Sequence, residues 1–148
     1  SLIYMSKKQL QLKIITPEKI VLDEAVDSVS LPTTEGEITI LPDHIALIST
    51  LASGDIVARV NGEDVPMAVS GGFIEVSNNQ VKILADFAEH VSDLSDDTVA
   101  KARARAEELK HMKDDASVVD FEHYEAELER SLTRVKIADK WKNRKYRM

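Results

Sequence analysis

Starting at Gln9 the chain alternates polar and apolar residues: Gln9-Leu10-Gln11-Leu12-Lys13-Ile14-Ile15 has period two, the mark of a half-buried strand. Thr16-Pro17-Glu18-Lys19 breaks the pattern, because proline fixes φ and removes a ladder donor. The same reading predicts strands at 19–23, 25–31, 36–41, 46–50, 55–60, 65–69, 73–77 and 81–85. The breaks carry turn chemistry: Pro32-Thr33-Thr34-Glu35-Gly36, Pro42-Asp43-His44, Ser53-Gly54, Asn61-Gly62 and Asn78-Asn79. Asn61-Gly62 is the strongest hairpin signal, since both residues tolerate the positive φ of a type I′ turn. Short strands closely punctuated in this way predict a sandwich or closed barrel.

Near residue 92 the pattern changes. Gly and Pro vanish from there onward, and Ala, Glu, Lys, Arg and Leu dominate. Ser95 or Asp96 can cap a helix running to about residue 112, with Val99, Ala102, Ala106 and Leu109 as its apolar stripe. Lys113-Asp114-Asp115-Ala116-Ser117 reads as a polar connection. A second helix is predicted over 118–142, with Phe121, Tyr124, Leu128, Val135 and Ala138 on its seam and Leu132 alongside. The first helix offers mostly alanine to this seam, so the hairpin buries few large side chains and is marginal when detached.

Composition narrows the class. The chain has no cysteine, which rules out disulfides, thiolate metal sites and a cysteine nucleophile. No apolar run approaches the roughly 20 residues that cross a bilayer. Met5-Ser6-Lys7-Lys8 resembles a native start, so residues 1–4 read as an appended leader, with no secretory signal. Charge is unevenly spread. Residues 1–90 carry 6 basic and 13 acidic side chains, and residues 91–129 carry 5 and 12, a net −7 in each. Residues 130–148 carry 8 and 1, a net +7. An acidic body repels phosphate, whereas the basic end suits an acidic protein surface, a lipid headgroup or nucleic acid.

Four strings carry a family likeness: Ile15-Thr16-Pro17 with Val26-Asp27-Ser28-Val29-Ser30-Leu31-Pro32; Glu35-Gly36-Glu37-Ile38-Thr39-Ile40-Leu41-Pro42-Asp43-His44; Val69-Ser70-Gly71-Gly72-Phe73-Ile74-Glu75-Val76; and Val81-Lys82-Ile83-Leu84-Ala85-Asp86. In order and content they resemble the epsilon subunit of bacterial and chloroplast F-type ATP synthases, called delta in mitochondria. The likeness is clear over residues 9–110 and weaker in the second helix. It implies a mostly β plus α chain: an N-terminal ten-stranded β-sandwich over 6–91 and a C-terminal antiparallel two-helix hairpin over 92–148. It also implies a non-catalytic rotor subunit that couples proton flow through the c-ring to ATP synthesis. Its implied partners are the gamma subunit, the c-ring and, when the hairpin opens to block ATP hydrolysis, the alpha/beta catalytic subunits. The implied location is peripheral, on the cytoplasmic face of a bacterial plasma membrane.

The resemblance also assigns residues. Glu35, Gly36 and Glu37 would form a loop tip meeting the c-ring, with His44 at the same interface; the plain alternative is a solvated turn. Arg130, Arg134, Lys136, Lys140, Lys142 and Arg144 would dock on the catalytic subunits; the plain alternative is a solvated helix end favoured by the dipole. Some relatives bind ATP through an Ile/Leu-Asp-x-x-Arg-Ala motif, but here Leu94-Ser95-Asp96-Asp97-Thr98-Val99 keeps only the first residue, with Arg105 as the one downstream match. Asp96 and Asp97 would repel a phosphate, so nucleotide sensing is not expected. No cofactor is expected, and His44, His90, His111 and His123 lack metal-ligand spacing. Ser70-Gly71-Gly72-Phe73 lacks the Lys-Ser/Thr and the helix of a phosphate loop and reads as a tight turn with close backbone approach.

Two other classes stay in view. One is a stand-alone sandwich whose basic tail binds RNA or anionic lipid, although the chain is too poor in aromatics to offer a base-stacking platform. The other is a hydrolase pairing His44 with Ser49 or Ser70, for which nothing in the sequence assembles a nucleophile, base and oxyanion donors.

Overall fold

The computed structural model describes residues 7–114 and 117–148. Eight strands come first: β1 (Leu10–Ile15), β2 (Ile20–Val26), β3 (Ser28–Thr33), β4 (Gly36–Ile40), β5 (Leu47–Thr50), β6 (Gly54–Val60), β7 (Glu63–Ser77) and β8 (Gln80–His90). A short 3-10 turn, Val91–Asp93, leads to helices α1 (Asp96–Asp114) and α2 (Val118–Trp141). The expected connection at Asp115-Ala116 and the expected leader at residues 1–4 lie outside the described residues.

The strands form one hydrogen-bonded path, β2-β1-β8-β7-β6-β3-β4, with β5 also pairing β7. The path folds over a single core that gathers Leu12 and Ile14 of β1, Leu31 of β3, Ile56 of β6, Ile74 of β7 and Ile83 of β8, all at 0% exposure. The first half of β7 pairs β6 and its second half pairs β5, while the start of β8 pairs β1. The two long strands thus belong to both layers. Eight strands stand where ten were expected, because β7 and β8 run through both layers without a break.

The sequence reading had split β7 at Ser70-Gly71-Gly72. Val65, Met67 and Val69 face the core before this point, and Ile74 and Val76 face it afterwards, so the inward parity changes from odd to even. On β8 the same change separates Ala85 from Ala88, both in the core, with Phe87 turned out. Gly71 and Asp86 drop out of the ladder, yet pairing resumes in the same register from Gly72↔Ala85. A one-residue slip reverses the faces of a strand. Here both strands slip together, so the site is a kink inside a strand and not the expected turn.

Glycine is required there. Gly71 has φ +63° and Gly72 +128°, and a Cβ on Gly72 would sit 1.9 Å from the Leu84 carbonyl oxygen. The close backbone approach expected for this segment is therefore real. At the turns, Asn61 (φ 51°) with Gly62 (φ 80°), and Asn78 (φ 50°) with Asn79 (φ 60°), adopt the left-handed conformations of tight hairpins. Pro32, expected to end a strand, lies within β3. Its carbonyl accepts from Ala52 on the side away from β4, so the missing N–H removes no β3–β4 bond.

We expect Gly72→Ala to destabilise the chain by more than about 3 kcal/mol, because the clash is with backbone that cannot yield. Gly62→Ala, with open space around it but φ +80°, is expected to cost only about 1 kcal/mol. Paired thermal or urea melts check the ranking; equal losses would contradict it.

Candidate functional site

Three surfaces carry chemistry: a loop tip, an apolar sheet face, and the seam where α2 meets the sandwich. The loop tip joins β3 to β4. The Thr33 hydroxyl donates to the Gly36 carbonyl and accepts from Glu35 N–H at 3.2 Å, which leaves the exposed Glu35 and Glu37 side chains projecting from an ordered turn. His44 lies beyond the opposite end of β4. At about 3.3 Å per residue, the five residues of β4 separate it from the tip by about 16 Å. His44 thus stands about one strand length from the tip. The His44 loop is ordered in its own right: Asp43, at φ 67°, receives Lys8 at 2.6 Å, and its N–H donates to the Asn79 side chain at 2.6 Å. Both partners hold the Asp43 carboxyl below its ordinary range, the Lys8 hydrogen bond most strongly. His44 Nδ1 lies 2.7 Å from the Ile45 carbonyl, Ser70 is buried in the middle of β7, and among the described residues no hydrogen bond joins His44 to Ser49 or Ser70.

The apolar face was not foreseen. Phe73 pairs across the ladder with Leu84, Leu84 with Ile15, and Ile15 with Ile20. Ile48, opposite Glu75, is the diagonal neighbour of Phe73. Phe73 is 60% exposed, Ile48 78%, Ile20 55% and Leu84 48%, and Leu41 and Ile45 add two more exposed side chains in the loop before β5. A contiguous row of this kind on a folded surface marks an interaction site. Its sequence signal is outward apolar residues inside alternating strands: Phe73 beside Ile74, Leu84 beside Ile83, Ile15 beside Ile14.

The helices meet the sheet through α2. Ile137 and Trp141 pack on the outward Ala68 and Phe87, with Val91 completing a small apolar cluster. Both α2 residues had been missed, because the helix was read for one seam when it has two. The expected seam holds in part: Leu128 is buried against Ala106 and Leu109 with Tyr124 beside them, whereas Phe121 and Leu132 stay exposed. Ser95 caps α1 as expected, and Ser117, read only as part of the connection, caps α2. Ser95 Oγ accepts from Thr98 N–H at 3.2 Å, and Ser117 Oγ accepts from Asp120 N–H at 3.3 Å.

The basic end folds back on the acidic body. Arg134 makes a two-pronged pair with Glu89 at 3.0 and 2.8 Å and lies 4.7 Å above the Phe87 ring. Lys140 pairs with Asp55 at 2.8 Å, and Arg147 with Glu24 at 2.7 Å. Glu24 in turn holds the Arg147 guanidinium above its ordinary pKa, chiefly by hydrogen bonding. Arg130 shares a cleft with Arg134, Glu18, Glu89 and Asp93, and Lys136 lines a groove beside Ser53. Lys142 is exposed, and Arg144 lies 5.7 Å from the Trp141 ring. Arg105, the one match to a nucleotide motif, is engaged within the hairpin: it pairs with Glu127 at 2.8 Å and Glu108 at 3.2 Å.

An exposed apolar face and a docked helical hairpin on a sandwich define a docking module. Residues 9–91 match the family model described as "ATP synthase, Delta/Epsilon chain, beta-sandwich domain". The chain is 43% identical over 132 residues to the ATP synthase epsilon chain of Nitratidesulfovibrio vulgaris, covering 88% of this chain and 96% of that one. It is 41% identical over 135 residues to the epsilon chain of Herpetosiphon aurantiacus, covering 91% and 98%. Among solved structures, a chain of the Euglena gracilis mitochondrial ATP synthase OSCP/F1/c-ring assembly superposes with TM-score 0.66 at 24% identity, over 84% of this chain and 78% of that one. A chain of the Tetrahymena thermophila ATP synthase central stalk/c-ring gives 0.54 at 20%, over 91% and 98%. The chain belongs to the ATP synthase delta/epsilon family.

The Arg105–Glu127 pair gives the hairpin a pH dependence. The Arg105 hydrogen bond lowers the Glu127 pKa from its ordinary 4.5, so the pair's contribution is complete above that value and lost as pH falls through the depressed one. Amide protection factors in α1 and α2, corrected for the intrinsic exchange rate, are expected to fall as the pH drops below 4.5. Glu127→Gln should flatten that dependence, and an unchanged profile in the variant would contradict the assignment.

Proposed function

We propose that this chain is an epsilon-type subunit of the central stalk of a proton-translocating ATP synthase. It has no chemistry of its own and acts by holding other subunits together. The observation that carries this reading is the row of exposed Ile48, Phe73, Leu84 and Ile20, joined through the half-buried Ile15, on a family sandwich, since an apolar row of this length needs a protein partner. That partner is the gamma subunit of the shaft. Glu35, Gly36 and Glu37 offer charge and backbone to the polar loops of the c-ring, and His44 makes a second, separate contact beyond the other end of β4.

The sandwich, residues 6–91, then transmits torque, and the hairpin, residues 92–148, regulates. When released, the hairpin carries Arg130, Arg134, Lys136, Lys140, Lys142 and Arg144 to an acidic segment of the alpha/beta catalytic subunits and slows ATP hydrolysis. The complex would place the chain at the cytoplasmic face of a bacterial plasma membrane, bound through its partners.

Reconstitution into an epsilon-depleted complex tests both halves. Phe73→Asp with Leu84→Asp should weaken binding by about 100-fold or more, as loss of central apolar contacts does, without unfolding the sandwich. Changing Arg130, Lys136, Lys142 and Arg144 together to Gln should leave binding intact and abolish the slowing of ATP hydrolysis. Undiminished binding by the first variant would refute the docking face. Full inhibition by the second would refute a cationic tail contact.

A further inference from the structure

Asp55 is a buried carboxylate whose side-chain partners among the described residues all come from the end of α2. Its side chain is 9% exposed. Lys140 Nζ lies 2.8 Å from Oδ2 and 3.1 Å from Oδ1, and Trp141 Nε1 donates to Oδ2 at 2.8 Å. Beyond α2 the chain stays on the sandwich. Tyr146 packs edge-on to Trp141 at 5.9 Å between ring centres, Arg147 N–H donates to the Asp64 carbonyl at 2.7 Å, and the Arg147 guanidinium grips Glu24 with both terminal nitrogens, at 2.7 and 2.9 Å.

We propose that residues 140–147 are a latch that holds the hairpin against the sandwich, with Asp55 as its keeper, and that the latch must open before the tail can reach any partner. The inference rests on the regulatory reading of the hairpin and adds which contact governs its release. Lys140 and Arg134 cannot pair with Asp55 and Glu89 and with an acidic partner at the same time. Docking on the sandwich and docking on a catalytic subunit therefore compete for the same cations.

The seam has the composition of a contact made to open. Its apolar centre is small: Ala68, Phe87, Val91, Ile137 and Trp141. The groups around that centre on the sandwich are carboxylates, Asp55, Glu89 and Glu24, each paired to a cation of the tail. When the helix lifts away, these carboxylates return to water and regain hydration, so the opened sandwich does not present a large greasy face. An apolar residue at position 55 would make docking permanent. A carboxylate makes it conditional on its partners and on salt. The hairpin can leave as a unit, because Leu109, Leu128 and the Arg105–Glu127 pair bind α1 to α2 independently of the seam.

Trp141 is the chain's one tryptophan and is 4% exposed, so its emission reports the latch directly. In the full-length chain, Asp55→Asn should raise acrylamide quenching of Trp141 several-fold with the circular dichroism of strands and helices retained. Rising salt should do the same in the unaltered chain. Lys140→Gln with Arg147→Gln, surface changes that leave the sandwich core untouched, should repeat the effect even if Asp55→Asn fails to fold. Quenching that stays at the unaltered level in the Lys140/Arg147 variant would overturn the latch. Asp55→Asn, or Glu24→Gln with Glu89→Gln if it does not fold, opens the seam from the sandwich side and keeps every tail cation; bound to an epsilon-depleted complex at equal occupancy, these variants are then assayed for ATP hydrolysis. Stronger inhibition by the opened variants supports release through the latch. Open quenching with unchanged hydrolysis keeps the latch but overturns the regulatory reading beneath it.

Discussion

Where β7 and β8 cross from one layer of the sandwich to the other, both strands must slip by one residue at the same level, and only a pair of glycines lets the backbones come that close. Gly72 leaves no room for a Cβ against Leu84, and Asp86 faces Gly71 out of the ladder. Without the slip, Phe73 would point into the core and Ile74 and Val76 would point to water. With it, the core runs continuously from Met67 to Val76, while the outer faces become two different surfaces. Ala68 and Phe87 on one side of the slip take α2; Phe73 and Leu84 on the other remain open. One backbone constraint thus sets the core, the seat for the chain's own helix and the exposed apolar face.

Electrostatics then decides how firmly the helix is seated. The net −7 over the first 90 residues and the net +7 over the last 19 meet within one molecule. Three of the tail's cations, Arg134, Lys140 and Arg147, spend their charge on Glu89, Asp55 and Glu24. Half-buried pairs of this kind add modest stability and strong orientation, and they weaken with salt. Beside them lie the exposed Lys142 and Arg144.

Much of this was legible in the residues. Period-two alternation located β1 and β4–β6, and Asn61-Gly62 and Asn78-Asn79 located two hairpins because positive φ is a property of those residues. The loss of Gly and Pro near residue 92 marked the start of the helices. What failed to show was what depends on two elements meeting. Ser70-Gly71-Gly72 looked like a turn because its role, a paired slip, needs β8 opposite. Ile137 and Trp141 were overlooked because a helix lying between another helix and a sheet has two apolar stripes, and a single heptad seam finds one. Glu35–Glu37 form an ordered tip, and His44 lies beyond the other end of β4. Arg134 and Lys140 were read as free tail charges, and only the folded chain brings them to carboxylates.

The most direct test of the account is add-back to membrane vesicles whose ATP synthase has been stripped of this subunit, with proton pumping and ATP hydrolysis recorded together. The account predicts that one chain per complex restores protons pumped per ATP hydrolysed while lowering hydrolysis itself. A chain that binds the stripped vesicles and leaves pumping uncoupled, or that does not bind them, would contradict it.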